Sequence, residues 1–432
     1  MNQLGLDTEK GIPTVTIITD EFIDGAINTA QGIGVPELPA VVVPHPFGGQ
    51  SEKALRAKAD EAFQDIMDVA VDWKPTVTEL PVQVSVYPAE RIEFEGSVED
   101  VNEMFFEREW SSGLPIIPPT PERVEAMLKG TSRSPDEILW REVPPRKGVL
   151  TIELVAVHAV MAGCKPEYMP VIIAALEGLK DPRLNWRALT TTTHPNGILV
   201  MVNGPIVEEL GIATGTGAAG PGYHPNVSIG YALSLITDIV GGSISPYGDK
   251  STLGWAGNTV STVIGEAEVE SPWEPYHVEK GFKEEDSVVT VFSGGPPLNW
   301  QDHSQHTIRQ VMATAARAIA YEGQNSACLV DLPSDSDFNE SCEVVLVLNW
   351  EFAQIAAVEE GWSKNELREY LWENALTHCG DPLDPEVQYN FASPENIQIF
   401  SPDDYNRYSP EMREKTYEWL EKREADQTMI SP

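Results

Sequence analysis

Two His-Pro-Asn triplets, His194-Pro195-Asn196 and His224-Pro225-Asn226, flank a glycine-rich stretch running from Gly211 to Gly222. His194 follows four threonines, Thr190 to Thr193, and precedes a Pro-Asn-Gly turn signature. A histidine on such a turn can serve as a general base, a ligand or a hydrogen-bond donor, or can simply bond to backbone. Thr193 and Asn196 add a hydroxyl and an amide to the same turn, as expected of convergent polar groups in a small-molecule site. His224 closes the glycine-rich loop, and Asn226 is placed either to cap the helix that follows or to help hold an anion. Gly215, Gly217 and Gly220 have Gly-x-Gly-x-x-Gly spacing, and a glycine-rich loop before a helix can offer backbone N–H groups to a carboxylate or phosphate. The loop lacks Gly-Lys-Ser/Thr, and no clean strand leads into it, so neither ATP nor NAD is implied.

Three further places carry reactive types. Asp249, Lys250 and Ser251 form a polar turn. There Lys250 could meet an anionic substrate and Asp249 could orient a base; the alternative is a solvated turn. Cys164 lies in Gly-Cys-Lys-Pro-Glu between two predicted helices. A helix dipole and Lys165 would favour its thiolate, as a nucleophile or redox group; the alternative is a small buried residue in a helix corner. His303 and His306 have His-x-x-His spacing, but beyond Asp302 no third ligand is evident, so no metal is assigned. No cofactor is specified.

Strand and helix patterns must position these groups. Residues 13–19 and 38–44 read as β-branched strands, with a helix over 21–33 and a second one from the Ser51 cap to about Val71. Alternating strand and helix predicts parallel pairing, and two strands are too few for a stable parallel sheet. Further helices are predicted over 122–129, 152–162, 170–179, 227–240, 306–321 and 363–376. Strands are predicted over 198–203, 288–292 and 343–348, and an exposed charged helix over 408–425. The class is α/β: a small incomplete parallel βα module over 1–95, a larger mixed α/β domain over 100–395 and an acidic helical tail over 396–432.

Composition narrows the functions. The chain has 432 residues with 29 Lys+Arg against 67 Asp+Glu, a net charge of −38. So acidic a surface disfavours nucleic acid and anionic membranes as partners. No apolar run is long enough to span a bilayer and no signal-peptide pattern opens the chain, so a cytoplasmic protein is expected. Four cysteines without a Cys-x-x-Cys pair argue for reduced thiols.

The segments GIPTVTIITDEF and LPAVVVPHPFGG resemble the C-terminal part of the UGSC family, whose name denotes a Sec/Cys-Gly-Ser-Cys motif. In that family the motif lies upstream of the segment matching Gly11–Phe22. No cysteine precedes Cys164 here, so the redox activity the motif implies is not expected of this stretch. WSSGLPIIPPTPERVEAML, VMAGCKPEYMPVIIAALEGL, TTTTHPNGILVMVNGP and GDKSTLG are similar to a second, bacterial family over about 100–300, a resemblance that implies no particular reaction.

Together these features predict an enzyme or enzyme subunit acting on a small anionic organic or organosulfur substrate, by thiol-dependent lyase or redox chemistry. Cys164, His194 and His224 are the catalytic candidates. A homo- or hetero-oligomer is expected, the latter with a separate Cys-Gly-Ser-Cys chain. The alternatives are a non-catalytic subunit completing such a partner, and a metal-dependent hydratase or hydrolase.

Overall fold

The computed structural model describes residues 14–32, 35, 37–47, 50–74, 76, 87–245, 248–300, 306–330, 344–374, 376–378 and 428–430. They divide into two compact units: residues 1–266 with 285–296, and residues 267–284 with 297–432.

The first unit opens with β1 (Thr16–Thr19), a short 3-10 turn and α1 (Ile23–Gly32). β2 (Ala40–Val43) and α2 (Glu52–Asp72) follow. β1 and β2 pair in parallel, Thr16 opposite Ala40 through Thr19 opposite Val43, as the strand–helix alternation predicts. Ser51 caps α2, its hydroxyl accepting from the Ala54 N–H. Val41, Val43 and Ala62 are buried, with Val15, Ile66 and Val69 around them. Two strand positions are open: Ile17 is 52% exposed and Val42 46%.

α3 (Val98–Glu107) packs Val101 and Phe105 on a small cluster of Ile116, Met161, Tyr231 and Leu235. The larger core of this unit is built from α4 (Pro121–Leu128), the antiparallel pair β3 (Ile138–Val143) and β4 (Gly148–Thr151), α5 (Ile152–Met161) and α6 (Met169–Leu179). α5 and α6 are apolar nearly all round, which is the signature of a helix enclosed by protein. Leu150, Ile152, Met169, Ile172 and Leu176 are sealed from solvent. Burying such a side chain contributes about 1.5–3 kcal/mol each. β5 (Gly197–Asn203) is the middle strand of a three-stranded sheet. It is flanked by β6 (Thr262–Gly265) in parallel and β7 (Val288–Gly294) antiparallel. GILVMVN has no polar alternation before Asn203, because β5 is covered on both faces.

α7 (His224–Leu235) continues into a π-helical turn, Ile236–Val240. It crosses β6 closely enough that a Cβ on Gly230 would stand 1.9 Å from the Ser261 carbonyl oxygen. On β7, Gly178 of α6 allows the same kind of approach, where a Cβ would stand 2.8 Å from Val291 Cγ2.

The second unit contains α8 (Ile308–Val330), a short helix Trp350–Gln354 that runs into a π turn, Ile355–Glu359, and α9 (Lys364–Asn374). Its core gathers Ile308, Val311, Met312, Ala315, Ala356 and Leu367. The expected Ser363–Glu366 capping box is formed: Ser363 N–H donates to the Glu366 carboxylate at 2.7 Å, and Glu366 N–H to Ser363 Oγ at 3.2 Å. The strand expected over 343–348 is not formed at 344–348. Leu346 and Leu348 pack on the helices instead, with no ladder partner among the described residues. Thr428–Ile430 (β9) pairs antiparallel with Leu376–His378 (β8); the helix expected over 408–425 lies outside the described residues.

The helix–sheet approach at Gly230 leaves no room for a methyl group. Gly230→Ala is expected to lower the urea unfolding midpoint by an amount equivalent to about 2–3 kcal/mol. Gly25→Ala, in α1 with nothing within 4 Å of the added carbon, is expected to leave the midpoint unchanged or raise it by up to about 1 kcal/mol. Equal midpoints for Gly230→Ala and the parent would disprove the close crossing.

Candidate functional site

α7 sorts the predicted residues into two groups, one at each end. At its start, His224 is exposed and its Nδ1 lies 3.2 Å from the Tyr168 hydroxyl. The two rings are 5.8 Å apart and tilted by 48°. Tyr168 is almost fully buried, and burial raises its phenol above the ordinary value. Sequence reasoning did not single out Tyr168, which stands on a one-turn 3-10 helix, Pro166–Tyr168.

Cys164 joins this group but not as the thiolate expected. Its Sγ donates to the Ser228 carbonyl at 3.2 Å, and burial pushes the thiol up to about 12. The reason is local. Gly163 has φ 75°, Gly163 N–H reaches the Val160 carbonyl and Cys164 N–H the Ala159 carbonyl, which is a Schellman closure of α5. Cys164 therefore sits at the negative end of a helix dipole, and a dipole of that sign opposes thiolate formation.

Asn226 also departs from expectation. It does not cap α7, whose N-cap is Tyr223 with no side-chain bond. Its Oδ1 accepts from Ala213 N–H at 2.9 Å, and its Nδ2 donates to the carbonyls of Val263 at 2.7 Å, Ala213 at 3.3 Å and Ala218 at 3.3 Å. The amide is consumed in fixing the glycine-rich loop to β6. In that loop a Cβ at Gly215 or Gly217 would meet nothing within 4 Å, and Gly217 has φ +74°. Two of the amides expected to face an anion bond inside the loop instead: Ala218 N–H to Gly215 O, and Gly220 N–H to Gly217 O.

Thr193, His194, Asn196, Asp249, Lys250 and Ser251 gather toward the opposite end of α7. That helix runs twelve residues from His224, roughly 18 Å, before the π turn whose Asp238 lines a cavity with Asn196, so His194 and His224 do not share a site. The two polar turns here are bonded to each other largely through main-chain carbonyls. Thr252 N–H donates to Thr193 O at 3.0 Å, Ser251 Oγ to His194 O at 3.3 Å, and Asn258 Nδ2 to Asn196 O at 2.7 Å. Asp249 Oδ1 accepts from Ser251 N–H at 2.9 Å and from Ser251 Oγ at 2.5 Å. The His194 ring is exposed at the edge of this turn. Lys250 Nζ lies 5.8 Å from the Phe22 ring centroid, within cation–π range, which brings the N-terminal βα region against this turn.

Behind it is a cavity of about 30 Å³ lined by Asp238 and Asp249 together with Asn196, Ser234, Asn258 and Ser261. That volume suits ordered water rather than a whole organic molecule. Asp238 is the residue that sequence reasoning missed. It is on the π turn, nine-tenths buried, and among the described residues no hydrogen-bond donor reaches its carboxyl. Burial, and then the neighbouring Asp249 charge, raise its pKa well above the usual carboxylate value. The signal was an aspartate inside the apolar run ALSLITDIVGG, since an acid in an enclosed helix is a site candidate. His303 and Asp302 lie outside the described residues. Among those described, no three His, Cys, Asp or Glu converge as a metal site, and no helix is long and apolar enough to cross a membrane.

The UGSC family model matches residues 6–72, so the chain carries a UGSC-type region at its N-terminus, and α1, α2, β1, β2 and Phe22 fall within it. No curated protein and no solved structure matches the chain.

Asp238 gives stability a distinctive pH dependence. Its folded pKa lies above the unfolded value of 3.8, so between the two the folded state binds the extra proton and stability falls as pH rises. Urea midpoints measured from acidic to neutral pH are expected to decline through that window in the parent and to stay flatter in Asp238→Asn. Parallel curves for the two proteins would disprove the raised pKa.

Proposed function

We propose that this chain is an acid–base enzyme acting on a small anionic organic or organosulfur substrate, of the lyase class, with its chemistry at the Asp238–Asp249 end of α7. The observation that carries the reading is the pairing of two carboxyls held in opposite conditions. Asp238 is buried with no donor among the described residues and its pKa is raised well above the usual carboxylate value, whereas Asp249 accepts two hydrogen bonds from Ser251. A buried carboxyl beside a hydrogen-bonded carboxylate pairs a group suited to give a proton with one suited to take it. In an elimination, the Asp249 carboxylate would take the proton from the carbon next to the substrate's carboxylate. Asp238 would give its proton, through water held in that cavity, to the departing hydroxyl or thiol of a substrate seated at its mouth, so that a C–H and a C–O or C–S bond break and a C=C bond forms. Lys250 would meet the substrate's charge, and exposed His194 stands at the mouth. Cys164, held as a thiol, has no step in this chemistry.

The test is deuterium uptake from D2O into a panel of small hydroxy- and thio-carboxylates, read by mass spectrometry. Exchange is expected with the parent, reduced about 100-fold or more in Asp238→Asn and Asp249→Asn and kept within about twofold in Cys164→Ser. Undiminished exchange in both aspartate variants, or its loss in Cys164→Ser, would return the chemistry to the thiol.

A second reading is a subunit whose UGSC-type region completes a partner chain bearing the Cys-Gly-Ser-Cys motif. It is favoured by the two-stranded β1–β2 sheet and by the exposure of Ile17 and Val42 on it. Native mass spectrometry of protein taken from its own cells would then show a heteromer; a homomer alone would eliminate this reading.

A further inference from the structure

We infer that the first unit holds a second binding site, distinct from the aspartate cavity, for a small organic monocarboxylate with an aromatic or branched apolar body. The site is a cavity of about 280 Å³ between β3 and the end of α6, close to the lower size of small-molecule pockets. Its floor is apolar: Leu179 and Trp186 are buried, and Trp140 of β3 forms a wall. Around that floor stand Lys147, Lys180 and Arg187. In a chain with 29 basic residues against 67 acidic ones, three cations around one apolar floor run against the general field and favour an anion.

The opposing charges do not close the site. Two acids, Glu142 and Asp181, also line it, leaving an excess of one positive charge. Glu142 pairs with Lys147 at 3.2 Å, but its side chain is 63% exposed while that of Lys147 is only 16% exposed. An exposed partner of this kind is held only weakly, so it can swing into solvent and leave Lys147 to a ligand carboxylate. Lys180 Nζ is anchored to the Leu139 carbonyl at 3.0 Å, which fixes its positive charge beside the floor. An apolar body on the indoles and one carboxylate on the cationic rim use both features. A bare inorganic anion would use only the rim.

Isothermal titration of the full chain with benzoate tests this, with inorganic phosphate as the comparison. Saturable one-to-one benzoate binding is expected, weakened about fivefold or more by Lys147→Met and likewise by Trp140→Leu, with both variants keeping the parent's circular dichroism. Phosphate is expected to bind at least about tenfold more weakly than benzoate, for want of the apolar contact. The absence of saturable benzoate binding to the parent overturns the proposal. Phosphate binding as tight as benzoate, or undiminished benzoate binding in Lys147→Met, overturns it as well.

Discussion

One buried side-chain amide sets the geometry on which both ends of α7 depend. Asn226 joins the backbone of the glycine-rich loop to β6 through four hydrogen bonds. Each such bond contributes on the order of 1 kcal/mol net, and an unsatisfied buried partner would cost more. The bonds pin the first turn of α7 against the sheet. Gly230 then lets the helix lie directly on Ser261, and the Ser234 and Ser261 hydroxyls meet 2.9 Å apart further along. The place where the helix ends, and with it the position of Asp238, follows from that first anchoring.

Much of the scaffold was legible in local sequence. The two N-terminal strands, the Ser51 cap, the enclosed helices and the long apolar strand at 197–203 all follow from β-branched runs, caps and periodicity. The site was less legible, because its residues are read correctly only in three dimensions. Two identical triplets suggested one site, but they stand toward opposite ends of α7. Cys164, between two helices, was assigned the dipole of the second, yet its N–H closes the end of the first. Asn226 had the residue type of a cap but turned inward. Asp238 was hidden for the opposite reason: it lies in an apolar stretch that local patterns assign to core. The 344–348 segment shows the same limit, since a β-branched run becomes a strand only where a neighbouring strand offers a ladder.

The electrostatics have a common logic. With a net charge of −38, a buried acid beside another acid has little reason to ionise, and burial with the Asp249 charge raises the Asp238 pKa well above the usual carboxylate value. The same field makes every cluster of cations conspicuous. Lys250 rests over Phe22 of the UGSC-type region, and the lysines of the β3–α6 cavity gather around indoles. At Lys250 the charge is held at an aromatic ring, whereas Lys147 and Lys180 are held by the Glu142 carboxylate and the Leu139 carbonyl. Trp186 lines the aspartate cavity and the cationic one alike, so one indole separates an acidic compartment from a basic one.

The π turn at Ile236–Val240 carries an evolutionary consequence. Such a turn holds one residue more than an α-helical turn would, and π turns recur at functional sites. One residue corresponds to about 100° of rotation in an α-helix. Deleting a single codon there would restore a regular helix and turn Asp238 away from its cavity, with the hydrophobic framework upstream untouched. Gain or loss of the buried acid thus lies one small insertion or deletion away, and relatives of this chain could share its scaffold while differing in whether they carry the acid at all.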